Sequence, residues 1–381
     1  MEQNHFSIKL LLYCIPVLSF AGCKVPYDPP VNSSKTHYLV VDGYLDGNGT
    51  TTIKLSRTRN ISTRDTAADI MEKGAHLVIE DENNDTWPPL DEIGNGIYAG
   101  VFSLFPANRY RLHITAADGR EYLSDFVSYK LAPPIDNITW DFKGGDVQLY
   151  ANTHDPQNST TFYRWSYEET WEFHSFYVSN LKFDPQTQAL TPRTDQVHIC
   201  WQSQNSFSIF IGSSAKLNED VINKAPLNLI SYGDKRISVL YSTLVTQYAL
   251  DSAGYNYWNA MKGNTENVGS IFDPQPNLTR GNIHCTTDPS ELVIGYIGAG
   301  TTQQQRIFID NNQMPPGWNS IPDCPIDSID RDSIVYFLGD MVRIPIDKVT
   351  DPFSRFACTA SSRSCTDCTF FGTNIKPLFW P

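Results

Sequence analysis

The sequence predicts a mainly β protein, an N-terminal immunoglobulin-like β-sandwich followed by a second β-rich domain with one principal helix. Three observations lead there. Short runs of apolar and β-branched residues alternate with polar ones, the period of a half-buried strand. The 23 Gly and 24 Pro are spread along all 381 residues, which favours many short elements joined by turns. Aromatic residues make up 12% and charged residues only 19%, too apolar for a disordered chain.

The elements follow in order. Residues 38–45 form an apolar, β-branched strand, Asp46-Gly47-Asn48-Gly49 a hairpin turn, and residues 51–56 the strand that pairs back. Residues 75–80 and 96–101 are further strands, and 110–115 with 121–124 another hairpin. Strands at this spacing predict a sandwich over 37–132. Ala132-Pro133-Pro134 marks its end, because proline lacks the N–H that a central strand needs. The second domain, 133–381, resumes strands at 138–142, 147–152, 161–168, 197–201, 206–211 and 237–241. Leu244, Tyr248, Tyr255, Trp258 and Met261 predict a helix over 242–262, closed by Gly263. Strand pattern returns at 292–297 and 306–309.

The N-terminus predicts export. Lys9 precedes the uncharged run 10–23, which ends in Ala21-Gly22-Cys23. The run is too short to cross a bilayer and reads as a secretory signal over 1–22. Ala21-Gly22-Cys23 resembles a bacterial lipobox, so Cys23 is the expected lipidation site and the lipid bilayer an expected partner. Residues 23–36, with Pro26, Pro29 and Pro30, read as a tether. Lys24 after the lipid site favours, by resemblance to lipoprotein sorting, the outer membrane over the inner one. The net charge of −13 excludes nucleic acid as a partner class, since phosphate binding needs a concentrated basic surface.

Six cysteines remain in the second half: Cys200, Cys285, Cys324, Cys358, Cys365 and Cys368. An even set in an oxidising compartment suggests disulfides, with free or redox thiols and a metal site as alternatives. Cys365-x-x-Cys368 lacks the second ligand pair that zinc requires. No cofactor is predicted.

Other candidate sites have plain structural readings. Ser213-x-x-Lys216 matches an acyl-enzyme motif, but no K-T-G accompanies it. Gly295-x-x-Gly298-x-Gly300 is a glycine-rich strand end without the phosphate-loop spacing. Asp46-x-Asn48 echoes part of a calcium loop and lacks its remaining carboxylates. Trp165, Trp171 and Phe173 with Glu168, Glu169 and Glu172 read as core plus a solvated strand face. His154-Asp155 reads as a polar turn. No catalytic residue is assigned.

One string of motifs carries a resemblance. Cys200-Trp201, Phe272-Asp273-Pro274-Gln275-Pro276, Gly281-Asn282-Ile283, Cys285, Gly295-Tyr296 and the ending Cys365-Thr366-Asp367-Cys368 through Phe379-Trp380 occur in order. They resemble the Bacteroidetes lipoprotein family called domain of unknown function 4249. The resemblance implies an accessory lipoprotein found beside TonB-dependent outer-membrane receptors, lipid-anchored and not an enzyme. It implies a non-enzymatic binding role in nutrient uptake with the transporter as partner. The rival expectations are a secreted hydrolase using an unrecognised carboxylate pair and a structural envelope lipoprotein. The tail 376–381 is expected to pack against the fold rather than dock onto a partner.

Overall fold

A computed structural model of the chain describes residues 37–59, 70–266, 279–319, 322–349, 353 and 355–381. The expected signal segment 1–22, Cys23, the expected tether and the motif at 272–276 lie outside the described residues.

The first sandwich contains β1 (Leu39–Asp46), β2 (Thr50–Arg57), β3 (His76–Asp81), β4 (Asp91–Gly94), β5 (Ile97–Val101), β6 (Arg109–Thr115), β7 (Glu121–Ser124) and β8 (Val127–Lys130). One layer runs β1-β2-β5-β4, and β3, β7 and β8 pair with β6 in the other. Alternation builds the core between them. Thr51, Ile53 and Leu55 turn inward from β2, and Tyr110, Leu112 and Ile114 from β6. These rows pack with Leu39, Leu77 and Ile79. The Tyr110 hydroxyl accepts from the Phe105 N–H and donates to the Phe105 carbonyl, a tyrosine corner.

The chain then enters a second sandwich through Pro133-Pro134. Its strands are β9 (Ile135–Lys143), β10 (Asp146–His154), β11 (Phe162–His174), the hairpin β12 (Leu181–Asp184) and β13 (Ala189–Pro192), β14 (Ile199–Asn205), β15 (Phe210–Ser213), β16 (Val221–Ile230) and β17 (Leu240–Ala249). Helix α1 (Ser252–Glu266) follows, then β18 (Ile283–Cys285), β19 (Val293–Ile294), β20 (Ala299–Gly300) and β21 (Thr302–Asp310). The sheet β16-β10-β9 faces the sheet β14-β11-β17-β21. Val147, Leu149, Tyr163, Trp165, Tyr241 and Val245 fill the space between.

Two sequence expectations need correction here. The helix does not begin at 242. Residues 240–249 are β17, paired with β11 on one side and β21 on the other. Val245, Gln247 and Ala249 are buried at period two, and the four-residue step from Leu244 to Tyr248 is two strand repeats on the opposite face. The helix starts after Asp251, whose Oδ1 accepts the Gly254 N–H at 2.7 Å as a cap.

The second correction concerns the boundary at 133, since the segment after it is not one contiguous domain. β18 pairs antiparallel with β7, and β19 and β20 pair parallel with β1. Ile283, Val293, Ile297 and Ala299 complete the first core. The glycine-rich motif serves this crossing. A Cβ on Gly295 would sit 2.2 Å from the Val41 carbonyl oxygen, and one on Gly300 would sit 1.9 Å from that of Lys130. Glu291 pins the returning segment, bonded to Arg57 at 3.2 Å, Arg120 at 2.7 Å and the Tyr122 hydroxyl at 2.9 Å.

A third, smaller module closes the chain: β22 (Asp327–Asp330), β23 (Arg343–Lys348) and β24 (Phe356–Ser362) pack on the β12–β13 hairpin through Leu181, Phe183, Ile329, Cys358 and Ala360. Disulfides join Cys200 to Cys368 and Cys324 to Cys365. Cys285 and Cys358 are buried and unpaired, so the six do not all bridge. Cys285 belongs to the first sandwich and Cys358 to the third core, where burial pushes its thiol up to about 11. Of the tail 376–381, Trp380 alone is buried, with its Nε1 donating to Glu172 at 2.9 Å, while Leu378 stands fully exposed.

Candidate functional site

A cleft of about 660 Å³ lies between the two sandwiches. Its floor is the face of β11, β17 and β21 that points away from the second core. The register sets three rows across that floor: Arg164–Tyr248–Thr302, Ser166–Thr246–Gln304 and Glu168–Leu244–Arg306. Side chains within and between these rows hold one another. Ser166 Oγ meets the Tyr248 hydroxyl at 3.3 Å, Gln304 donates to Thr246 Oγ1 at 3.1 Å, and Arg306 lies 4.0 Å from Glu168.

The opposite wall is the face of β1 and β2, with Asp42 beside Lys54 and Tyr44 beside Thr52. Trp258 of α1 and the loop 205–209 close the flank, and Phe207 stands 85% exposed on that loop.

The two walls are fastened together at one end. Asn48 and Thr302 exchange hydrogen bonds: Asn48 Nδ2 donates to the Thr302 carbonyl at 3.1 Å, and the Thr302 N–H donates to Asn48 Oδ1 at 3.0 Å. Asp46 accepts from the Asn48 N–H and from Thr302 Oγ1. The loop that echoed a calcium site is therefore an interdomain latch, with its carboxylate occupied by donors. Tyr44 donates to the Ala249 carbonyl at 3.2 Å. Burial, with Asp46 nearby, holds the Tyr44 phenol well above its ordinary value, so it remains a donor.

Arg164 is the most unusual group in the cleft. Its guanidinium carbon lies 4.6 Å from the Tyr248 ring centre and 4.2 Å from that of Trp258. The side chain is half-buried, and among the described residues no carboxylate lies within ion-pair distance of it. Tyr257, one residue before Trp258, has its phenol pushed up to about 12 by burial and then by Asp42.

The sequence-derived candidates fall mostly outside this cleft. Ser213 Oγ accepts from the Ala215 N–H, Ser214 donates to Asp220, and Lys216 is exposed. Ser213 ends β15, and the residues after it form a turn. Trp165 and Trp171 are core residues. Glu169 is buried against Arg236 at 2.9 Å and the Tyr241 hydroxyl at 2.9 Å. Glu172 holds His174 and Trp380. His154 faces Asp136. Of the acidic cluster only Glu168 lines the cleft. Among the described residues no group of three or more His, Cys, Asp or Glu is placed to hold a metal ion, and no helix is long and apolar enough to cross a membrane.

Sequence reasoning missed Arg164, Tyr44, Tyr248 and Trp258 as a group. One signal was present: Arg164 is the lone cation in the aromatic strand 161–168. Its partners come from β17 and α1, which no local pattern links to it.

These features define a protein of two β-sandwiches with a polar and aromatic cleft at their junction. The chain belongs to the family described as domain of unknown function (DUF4249), whose model matches residues 24–306. The motif at Cys365–Cys368 lies beyond the matched span. Among solved structures, a two-domain fibronectin type-III segment from chicken tenascin is similar at 11% identity, over 57% of this chain and 93% of that one, with a TM-score of 0.15. A putative carbohydrate binding protein from Bacteroides uniformis is similar at 10% identity, over 56% and 90% of the respective chains, with a TM-score of 0.15. No curated protein matches the chain.

Proposed function

We propose that this chain is an outer-membrane lipoprotein, anchored by acyl groups on Cys23, that works as a non-enzymatic binding partner of a TonB-dependent transporter in nutrient uptake. The observation that carries the binding role is the cleft between the sandwiches. The face of β11, β17 and β21 that lines it is not packed into either core, and it carries hydroxyl, amide, aromatic and guanidinium groups side by side. Sites of this size with a few convergent polar groups are the usual form of small-molecule recognition. The anchor rests on the Ala21-Gly22-Cys23 motif, and the transporter on what the resemblance in sequence implies.

The anchor is tested by fractionation of the full chain. Incorporation of labelled palmitate and pelleting with the envelope, both lost in Cys23→Ala, support the reading. Pelleting unchanged in Cys23→Ala with no palmitate incorporated contradicts it. One observation favours the hydrolase reading: Asp42 and Glu168 line the cleft from opposite walls. That reading requires a hydrolytic activity abolished in both Asp42→Asn and Glu168→Gln.

A further inference from the structure

We infer that the cleft takes a monocarboxylate, gripped by the guanidinium of Arg164. The inference rests on the binding role proposed above and names the ligand chemistry of that site.

Arg164 leaves β11 on the cleft face, one register step from Tyr248. The guanidinium carbon lies over the Tyr248 and Trp258 rings, and these contacts restrict the side chain. Ring π-faces offer the guanidinium no carboxylate oxygens, so its N–H donors remain for a ligand. Other half-buried or buried arginines of the fold have carboxylates: Arg57 has Glu72 and Glu291, Arg111 has Glu80, and Arg236 has Glu169 and Asp234. Arg164 has two aromatic rings and an adjoining cavity instead. A guanidinium oriented before binding gives a fork that matches two carboxylate oxygens, and the ordering cost has already been met in the fold.

The acidic residues of the cleft do not compete for that fork. Asp46 is occupied by the Asn48 N–H and Thr302 Oγ1. Glu168 stands four residues along β11, about 13 Å away by strand rise, and faces Arg306. Asp42 lies across the β1–β2 ladder from Lys54. Asp42, on the facing wall of the cleft, nevertheless disfavours a second negative charge, which favours a single carboxylate over a phosphate monoester. The net charge of −13 acts over distances that physiological salt screens beyond about 8 Å. Ser166, Thr246 and Gln304 on the floor offer donors and acceptors to a polar body, so an acidic saccharide and a peptide C-terminus share the required chemistry.

Calorimetry on the detergent-solubilised full chain tests this with four probes: galacturonate, its neutral methyl ester, N-acetyl-Gly-Phe and its neutral amide. The first pair reports a saccharide source and the second a peptide source. At least one acid should bind in the millimolar range or tighter and exceed its neutral partner by about tenfold or more. Arg164→Lys, which keeps the charge and removes the fork, should bring that ratio close to one in a chain that still unfolds cooperatively. If no acid binds, or if each neutral partner binds as well as its acid in the native chain, the inference is overturned without recourse to any variant. A neutral probe that binds while the acids show no preference would overturn the carboxylate assignment and leave the binding role standing.

Discussion

The Tyr44 hydroxyl of the first sandwich donates to the Ala249 carbonyl of the second across 3.2 Å, between residues 205 apart in sequence. This bond sits where the walls of the cleft meet, beside the edge-on contact of Tyr44 with Tyr248 at 5.2 Å. Tyr44→Phe keeps the ring and removes only the donor. It should lower stability by about 1 kcal/mol, read as a shifted denaturant midpoint. An unchanged midpoint would show that the bond does not couple the sandwiches.

Glu291 binds two arginines and a tyrosine while its own side chain is only 8% exposed. Glu291→Ala leaves Arg57 short of one carboxylate in a site that is itself 11% exposed. Glu72 still pairs Arg57, so the expected loss is about 1.5–3 kcal/mol, the scale for a hydrogen bond to a charged group. Hydrogen exchange should locate the loosening at β18, β19 and their partners β7 and β1. Exchange confined to other strands would contradict the role given to the returning segment.

The bridge Cys200–Cys368 spans 168 residues and Cys324–Cys365 spans 41. Both tie the C-terminal module to the second sandwich or to its own entry loop. Cys200→Ser with Cys368→Ser should cost about 2–5 kcal/mol. Limited proteolysis should then cut the C-terminal region first, with the first sandwich persisting as a resistant fragment. Equal resistance with and without the bridges would count against them as staples.

His198 lies beside His174 with ring centres 5.0 Å apart and the rings tilted, and its Nδ1 meets Ser175 Oγ. Burial, followed by the His174 charge, lowers its pKa in the folded state. Below about 6.5 the unfolded chain takes up a proton that folded His198 refuses. Its contribution is therefore intact above that pH and declines as pH falls towards the lowered folded value. His198→Gln should flatten this part of the stability–pH curve. A curve of unchanged slope would assign the acid sensitivity to other groups.

Much of the fold was legible because alternation is local. The period-two burial of Thr51, Ile53 and Leu55, and the Asp46–Gly49 turn, follow from neighbours in sequence. The start of α1 was misplaced because Leu244 and Tyr248, four apart, fit a helix repeat as well as two strand repeats. The return of residues 283–300 to the first sandwich was hidden for another reason. Its strands are two or three residues long and gain their meaning only beside β1 and β7. The cleft was illegible for the same reason on a larger scale: Arg164, Tyr248 and Trp258 meet only after β11, β17 and α1 have packed.

The central claim, a tethered binder working against a transporter, is tested most directly at the mouth of the cleft. A photo-crosslinking amino acid in place of Phe207, which stands exposed there, can be activated in native envelopes carrying the full chain. The account predicts an adduct containing a TonB-dependent outer-membrane transporter, lost in Cys23→Ala. Repeated activation that labels other envelope proteins and no transporter would contradict it.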